Sequence, residues 1–327
     1  MKLAISGRMD DETLAFGKQL GATDVVGGSY ELPKDRGYFH FNDLLWQRQK
    51  IEAAGLRWAA LEGVPAEWSD KIKLGLPGRD EQIENWCKTL RSMGEVGIPV
   101  LGYFFSLRSR PGNLGLRTSK STQSRGGALV TSFDYELIKG ARGDYWDPPV
   151  THAEEITDDE MWANHKYFLE AVIPVAEEAG VKMGLHPDDP PISPIAGVAR
   201  IFRNHEALKR HIETVPSDYN GLGFCHGTIS TMEGGDVKDA IRYFGERKKV
   251  FYVHFRCVSG TVPAFEETFI DEGHTDVRAS IDVFKEVGFD GAMIDDHVPT
   301  LAVDTEDRHA AHAYALGYMK SLLDAVR

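Results

Sequence analysis

Eight times along its 327 residues this chain repeats one pattern: a short apolar run, a loop, then an amphipathic stretch. Apolar runs this short suit strands covered on both faces rather than helices. They fall at residues 3–6, 24–27, 57–62, 100–105, 182–186, 221–225, 250–255 and 291–295. Helical stretches alternate with them, at 11–20, 43–54, 79–96, 157–179, 205–213, 236–244, 276–287 and 308–326. Asp80 and Glu81 sit in the first turn of one, where they complement the positive end of the helix dipole. Thr157, followed three residues later by Glu160, reads as a capping box. Strict alternation implies parallel strands joined by right-handed crossovers. The expected fold class is therefore α/β, a (β/α)8 TIM barrel formed by residues 1–327 as a single domain. A doubly wound open sheet is the competing arrangement. Polar clusters follow four consecutive late strands; closure brings them together, and an open sheet would spread them out.

Residues 106–156 interrupt the alternation after the fourth strand. The stretch is rich in Gly, Arg, Ser and Pro and reads as a long loop. Its position past a strand end makes it a candidate lid over the barrel mouth. A surface excursion or an oligomer arm is the other reading.

The formal net charge of −13 argues against a nucleic-acid or anionic-membrane partner. No stretch approaches the roughly 18–20 continuous apolar residues of a membrane span. The opening residues Met1-Lys2-Leu3-Ala4-Ile5-Ser6 read as a strand rather than an export signal. Cys87, Cys225 and Cys257 make no even disulfide framework, so a reduced, cytoplasmic setting is expected. Cys87 reads as a small core residue, and Cys257 as facing away from Arg256. A homo-oligomer is the expected assembly.

The chemistry concentrates at the strand ends. His186 ends the run 181–185, Cys225 ends 222–224, His254 ends 250–253, and Asp295 with Asp296 ends 292–294. Two imidazoles, a thiolate and a carboxylate suit one borderline divalent ion such as Mn2+, Fe2+, Co2+ or Zn2+. A lone strand-end histidine is usually a hydrogen-bonding residue; four donors in register raise the metal reading without deciding it. Arg256 shares the face of His254, two residues on, and its planar fork suits a substrate carboxylate. An ion pair with Glu266, Glu267 or Asp296 is the alternative use. His297 follows the acidic pair and could serve as general acid or base, or merely hydrogen-bond a carboxylate. Asp188 or Asp189 could orient a ligand imidazole, although a capped turn accounts for at least one. His226 points away from the mouth on this reading. Trp68, Trp86 and Trp162 read as packing residues.

These residues give the chain a resemblance to the mannonate dehydratase family, metal-dependent sugar-acid dehydratases of the xylose isomerase-like barrel group. The match runs over most of the chain. It is most specific at Ala171-Val172-Ile173-Pro174-Val175-Ala176 leading into Leu185-His186-Pro187-Asp188-Asp189-Pro190-Pro191, then at Phe224-Cys225, His254-Phe255-Arg256 and Asp296-His297. The resemblance implies a manganese-type ion on His186, Cys225, His254 and Asp296, and proton transfer by His297. It selects Asp296 over Asp295 because Asp296 directly precedes the histidine. It also implies a sugar-acid substrate, with loss of water to give a 2-keto-3-deoxy acid. The chain departs from the family pattern after the fourth strand, where Phe105-Ser106-Leu107-Arg108 replaces an aromatic, arginine-containing segment and only Arg117-Thr118 echoes it. It departs again after His297, at Val298-Pro299-Thr300, and the family's tyrosine before the last helix has no clear counterpart; Tyr314 and Tyr318 fall inside the helical stretch. A metal-dependent sugar isomerase or epimerase, and a non-catalytic sugar-acid binding protein, are the rival functions.

Overall fold

The apolar runs become strands because each can bury both faces only inside a layered structure, and here that structure closes on itself. The computed structural model describes residues 1–110, 116–151 and 156–326. Eight strands form a closed parallel barrel: β1 (Lys2–Ile5), β2 (Asp24–Val26), β3 (Arg57–Glu62), β4 (Val100–Tyr103), β7 (Lys182–Leu185), β8 (Asn220–Cys225), β9 (Val250–His254) and β12 (Ala292–Ile294). Their order around the ring follows the chain, and β12 closes against β1 through the pair Leu3↔Met293. The helices wrap outside. They are α1 (Asp11–Gln19), α2 (Phe41–Ala53), α3 (Asp70–Leu74), α4 (Arg79–Val96), α5 (Asp158–Ala179), α6 (His205–Thr214), α7 (His226–Ser230), α8 (Val237–Glu246), α9 (Val277–Glu286) and α10 (His309–Ala325). The capping box at α5 is present in both directions: Glu160 donates its backbone N–H to Thr157 Oγ1, and Thr157 donates its own to the Glu160 carboxylate at 2.8 Å.

Inside the barrel, Ala4, Val26, Ala60 and Ala292 are small, and Tyr252 fills the space they leave. Gly102 and Gly223 are part of the same fit, since a Cβ on either would overlap the Tyr252 hydroxyl. The ring therefore stands upright beneath the mouth. Its hydroxyl donates to Glu62 at 2.8 Å.

The stretch after β4 differs from the expected loop. It carries β5 (Ser119–Gln123) and β6 (Leu129–Asp134), which join β10 (Val258–Thr261) and β11 (Ala264–Glu267) in a four-stranded antiparallel sheet. Phe133, Val258 and Phe265 bury a small core of its own. Trp146, further along the same stretch, is fully buried. Ser119-Lys120-Ser121-Thr122-Gln123 has no apolar face, so it becomes a strand only by pairing with β6. Parts of the candidate lid, residues 111–115 and 152–155, lie outside the described residues.

Candidate metal centre and its surroundings

Strands β7, β8, β9 and β12 are neighbours in the ring, and the register Cys225↔His254↔Ile294 places their carboxyl ends level. His186, Cys225 and His254 consequently converge. One donor atom from each lies within 4.8 Å of the other two, and all three side chains are buried. Asp296 stands beside the trio rather than within it, with Oδ2 3.6 Å from His254 Nδ1 and 2.8 Å from Arg256 Nε.

Each of the three is held from behind. His186 Nδ1 donates to the Pro187 carbonyl at 2.7 Å, which leaves its other ring nitrogen for the mouth. Cys225 Sγ accepts hydrogen bonds from the backbone and hydroxyl of Thr228, at 3.3 and 3.0 Å. His254 Nε2 meets Glu62 Oε2 at 3.0 Å, and that carboxylate is in turn fixed by Tyr252. Glu62 was invisible as a site residue in the sequence. Its only signal is its place at the end of β3, level with the other strand-end donors.

The electrostatics describe a pocket short of positive charge. Burial alone would raise the Cys225 thiol, but the Arg256 guanidinium and the His186 imidazole outweigh it and hold its pKa below the ordinary thiol value. Burial alone would depress His254; the Glu62 and Asp296 carboxylates overcome it and hold it well above the usual imidazole range. His186 is raised against burial by Cys225. Four carboxylates, Glu62, Asp189, Glu267 and Asp296, and a thiol disposed to ionise thus surround two guanidinium groups, Arg117 and Arg256. The His186 and His254 imidazoles answer with raised pKa values. A divalent cation would supply that charge and release them as neutral ligands, so the donor set fits a metal.

Arg256 is placed differently from the carboxylate-binding expectation. Its Nη1 donates to both Glu267 oxygens at 2.7 Å, and its Nη2 donates to Asp189 at 2.8 Å and Thr228 at 3.0 Å. With the side chain 3 % exposed, these two nitrogens have no donor left for a substrate. The ion-pair alternative with Glu267 and Asp296 describes it, because β11 folds back along β10 and, opposite Val258, delivers Glu267 to the fork. Arg117, from the stretch after β4, binds the same Asp189 and Glu267 oxygens at 2.7 Å. The faint Arg117-Thr118 echo in the sequence therefore marks a residue that reaches the mouth.

Asp188 caps no local turn: it accepts from Phe202 N at 2.8 Å across a long loop and lies 3.5 Å from Arg200, whereas Asp189 joins the two arginines. His297 stands over this network with a third of its side chain exposed, 3.6 Å from Asp296 and 4.0 Å from both Asp189 and Glu267. Its backbone is left-handed, φ 49°, a costly conformation for a branched ring that aims the imidazole across the mouth. Surrounding protein desolvates the ring and lowers its pKa, so it rests neutral at neutral pH. His226 faces away, bonded to the Arg256 carbonyl and Ser280. Cys87, Cys257, Trp68 and Trp162 are buried packing residues, as expected; Trp86 is buried too, but its indole Nε1 has no acceptor among the described residues.

Known proteins resemble this chain over most of its length. The mannonate dehydratase of Thermotoga maritima is 31% identical over 319 residues, covering 88% of this chain and 86% of its own. The crystal structure of mannonate dehydratase from Streptococcus suis serotype 2 superposes with a TM-score of 0.87 at 28% identity, over 100% of this chain and 93% of the other. A structure of L-ribulose 3-epimerase, at 16% identity and TM-score 0.62 over 100% and 95%, shares the fold alone. The family model for D-mannonate dehydratase (UxuA) matches residues 1–145 and 149–327. A barrel with this strand-end donor set and this match along nearly its whole length belongs to the D-mannonate dehydratase family.

Proposed function

We propose that this hydro-lyase acts on an aldonate such as D-mannonate, with His186, Cys225, His254 and Asp296 holding one divalent ion, manganese or another of the iron, cobalt and zinc group. The observation that carries the reading is the convergence of three buried donors, all within 4.8 Å, at the ends of adjacent strands. The bound ion would supply Lewis-acid polarisation, which acidifies the proton on C2 of a sugar acid. The chain's own residues do the rest. His297, neutral at rest and partly exposed over the mouth, accepts the C2 proton. Charged in this way, it can return a proton to the departing C3 hydroxyl, which leaves as water. The enol left behind ketonises to the 2-keto-3-deoxy acid. Arg256 and Arg117 hold Asp189, Glu267 and Asp296 in place and keep the floor beneath His297 rigid.

The chain also reads as one domain whose sheet of β5, β6, β10 and β11 roofs part of the mouth. We place it in the cytoplasm as a homo-oligomer; among the described residues no helix is long and apolar enough to cross a membrane. Sedimentation of the purified protein tests the assembly. The activity test is to incubate manganese-loaded protein with D-mannonate and read the product by mass. Loss of one water with a 2-keto acid product is expected. A mass-conserving change would indicate the isomerase or epimerase chemistry, and binding without product would indicate a sugar-acid binder.

A further inference from the structure

A second cavity lies beside the candidate metal centre, between the segment that follows β3, helices α3 and α4, and the segment that follows β4. It measures about 190 Å³, and Ser69, Lys73, Trp86, Phe104, Ser106 and Arg108 are in its wall. Phe104 is shared with the metal centre, since its ring packs on His186 with centroids 4.6 Å apart.

Two polar groups in this wall have no hydrogen-bond or ion-pair partner among the described residues. Lys73 is 4 % exposed, yet its ammonium forms neither a hydrogen bond nor an ion pair with any described residue. Burial lowers its pKa to about 8, and Asp70 and Asp188 act on it only at longer range. Trp86 Nε1 is buried without an acceptor. Both groups are donors, and none of the described residues lining the cavity is acidic. A buried ammonium left uncompensated is expensive, as is an orphaned N–H. A chain that keeps both on one cavity is built to receive an acceptor there. In a protein of net charge −13, an unpaired cation is also where an acid would settle.

We infer that Lys73 and Trp86 form an oxyanion subsite that takes the carboxylate of the sugar-acid substrate. The inference rests on the sugar-acid reading above. It assigns to Lys73 the task that Arg256, with Nη1 and Nη2 committed to Glu267, Asp189 and Thr228, is not free to perform. It also makes the site select charged acids over neutral sugars of the same shape.

The test compares wild-type, Lys73→Met and Trp86→Phe proteins, all metal-loaded. With D-mannonate, Lys73→Met should raise KM by roughly 10- to 100-fold, the scale of one lost charge-assisted hydrogen bond, with kcat changed less than about threefold. Its Tm should hold or rise, because the uncompensated charge is gone. Calorimetric titration with inorganic phosphate and with D-mannonate should show the two competing in wild type, both weakened in Trp86→Phe and lost in Lys73→Met. Phosphate that binds through Lys73 without competing would overturn the assignment to the substrate carboxylate and leave a separate anion as the occupant. Equal binding of both probes by wild type and Lys73→Met would overturn the subsite. If the wild type turns over no sugar acid, the dehydratase reading fails, and the phosphate titration still reads the subsite by itself.

Discussion

Replacing Glu62 by Gln isolates the support behind one candidate ligand. The carboxylate accepts the Tyr252 hydroxyl at 2.8 Å on one oxygen and meets His254 Nε2 at 3.0 Å on the other. As a neutral ligand, His254 would keep its proton on Nε2 toward Glu62 and leave Nδ1, which lies 3.6 Å from Asp296 Oδ2, for the ion. Glutamine keeps the volume but offers one acceptor oxygen. If Tyr252 takes that oxygen, the amide NH2 is turned toward His254, which favours the opposite tautomer and puts the proton on Nδ1. The variant also loses the negative charge that, with Asp296, holds His254 above the usual imidazole range. Loss of such a supporting partner costs about 10- to 100-fold in metal affinity, roughly 1.4–2.8 kcal/mol. Manganese affinity is measured by competition with a chromophoric chelator at fixed pH, and metal content by elemental analysis. Tyr252→Phe removes one hydrogen bond and keeps the charge, so it should cost about 1 kcal/mol or less. If Glu62→Gln bound manganese within twofold of wild type, the orientation argument would be wrong.

Three further outcomes are expected. Glu267→Gln strips a 1 %-exposed carboxylate from two arginines and should destabilise the fold by about 3–5 kcal/mol in denaturant titration; a loss under 1 kcal/mol would show the network relaxing around the change. Burial pushes His211 down to about 4 from its ordinary 6.5, so the unfolded chain takes up its proton first as pH falls. Its stability contribution is complete above about pH 6.5, declines on acidification and levels off near pH 4, a total of about 3 kcal/mol, and His211→Gln should flatten that slope in pH-dependent unfolding. Gly223→Ala drives a methyl group into Tyr252 and should cost about 1–3 kcal/mol, part of which Tyr252→Leu recovers in the double variant; additive losses would place the strain elsewhere.

The barrel was legible because its strands are buried on both faces and so appear as unbroken apolar runs with sharp ends; β3 begins and ends at the residues expected. The donors at the ends of β7, β8 and β9 were legible for the same reason. Once closure is granted, a strand's last residue has one place to go. The antiparallel sheet was not legible. β5 and β10 are polar and half-exposed; each pairs with its hairpin neighbour, and the two hairpins become one sheet only where β6 meets β11, far apart in the chain. Arg256 was visible as a cation, but its occupation depends on Glu267 arriving across a hairpin, which no local pattern announces. Lys73 falls in a short helix between the expected helical stretches, and only the packing of α3 against α4 and α5 shows it buried.

The upright tyrosine under the mouth has a consequence for anyone redesigning this enzyme. Its ring meets two glycines, on the strands β4 and β8 that flank β7, and its hydroxyl reaches the carboxylate that steadies a ligand histidine. Enlarging either glycine, or trimming the ring, therefore alters what happens a layer higher. Libraries that vary these positions singly will return mostly broken proteins, while sets that change the plug and its two neighbours together can find new centres that still load a cation.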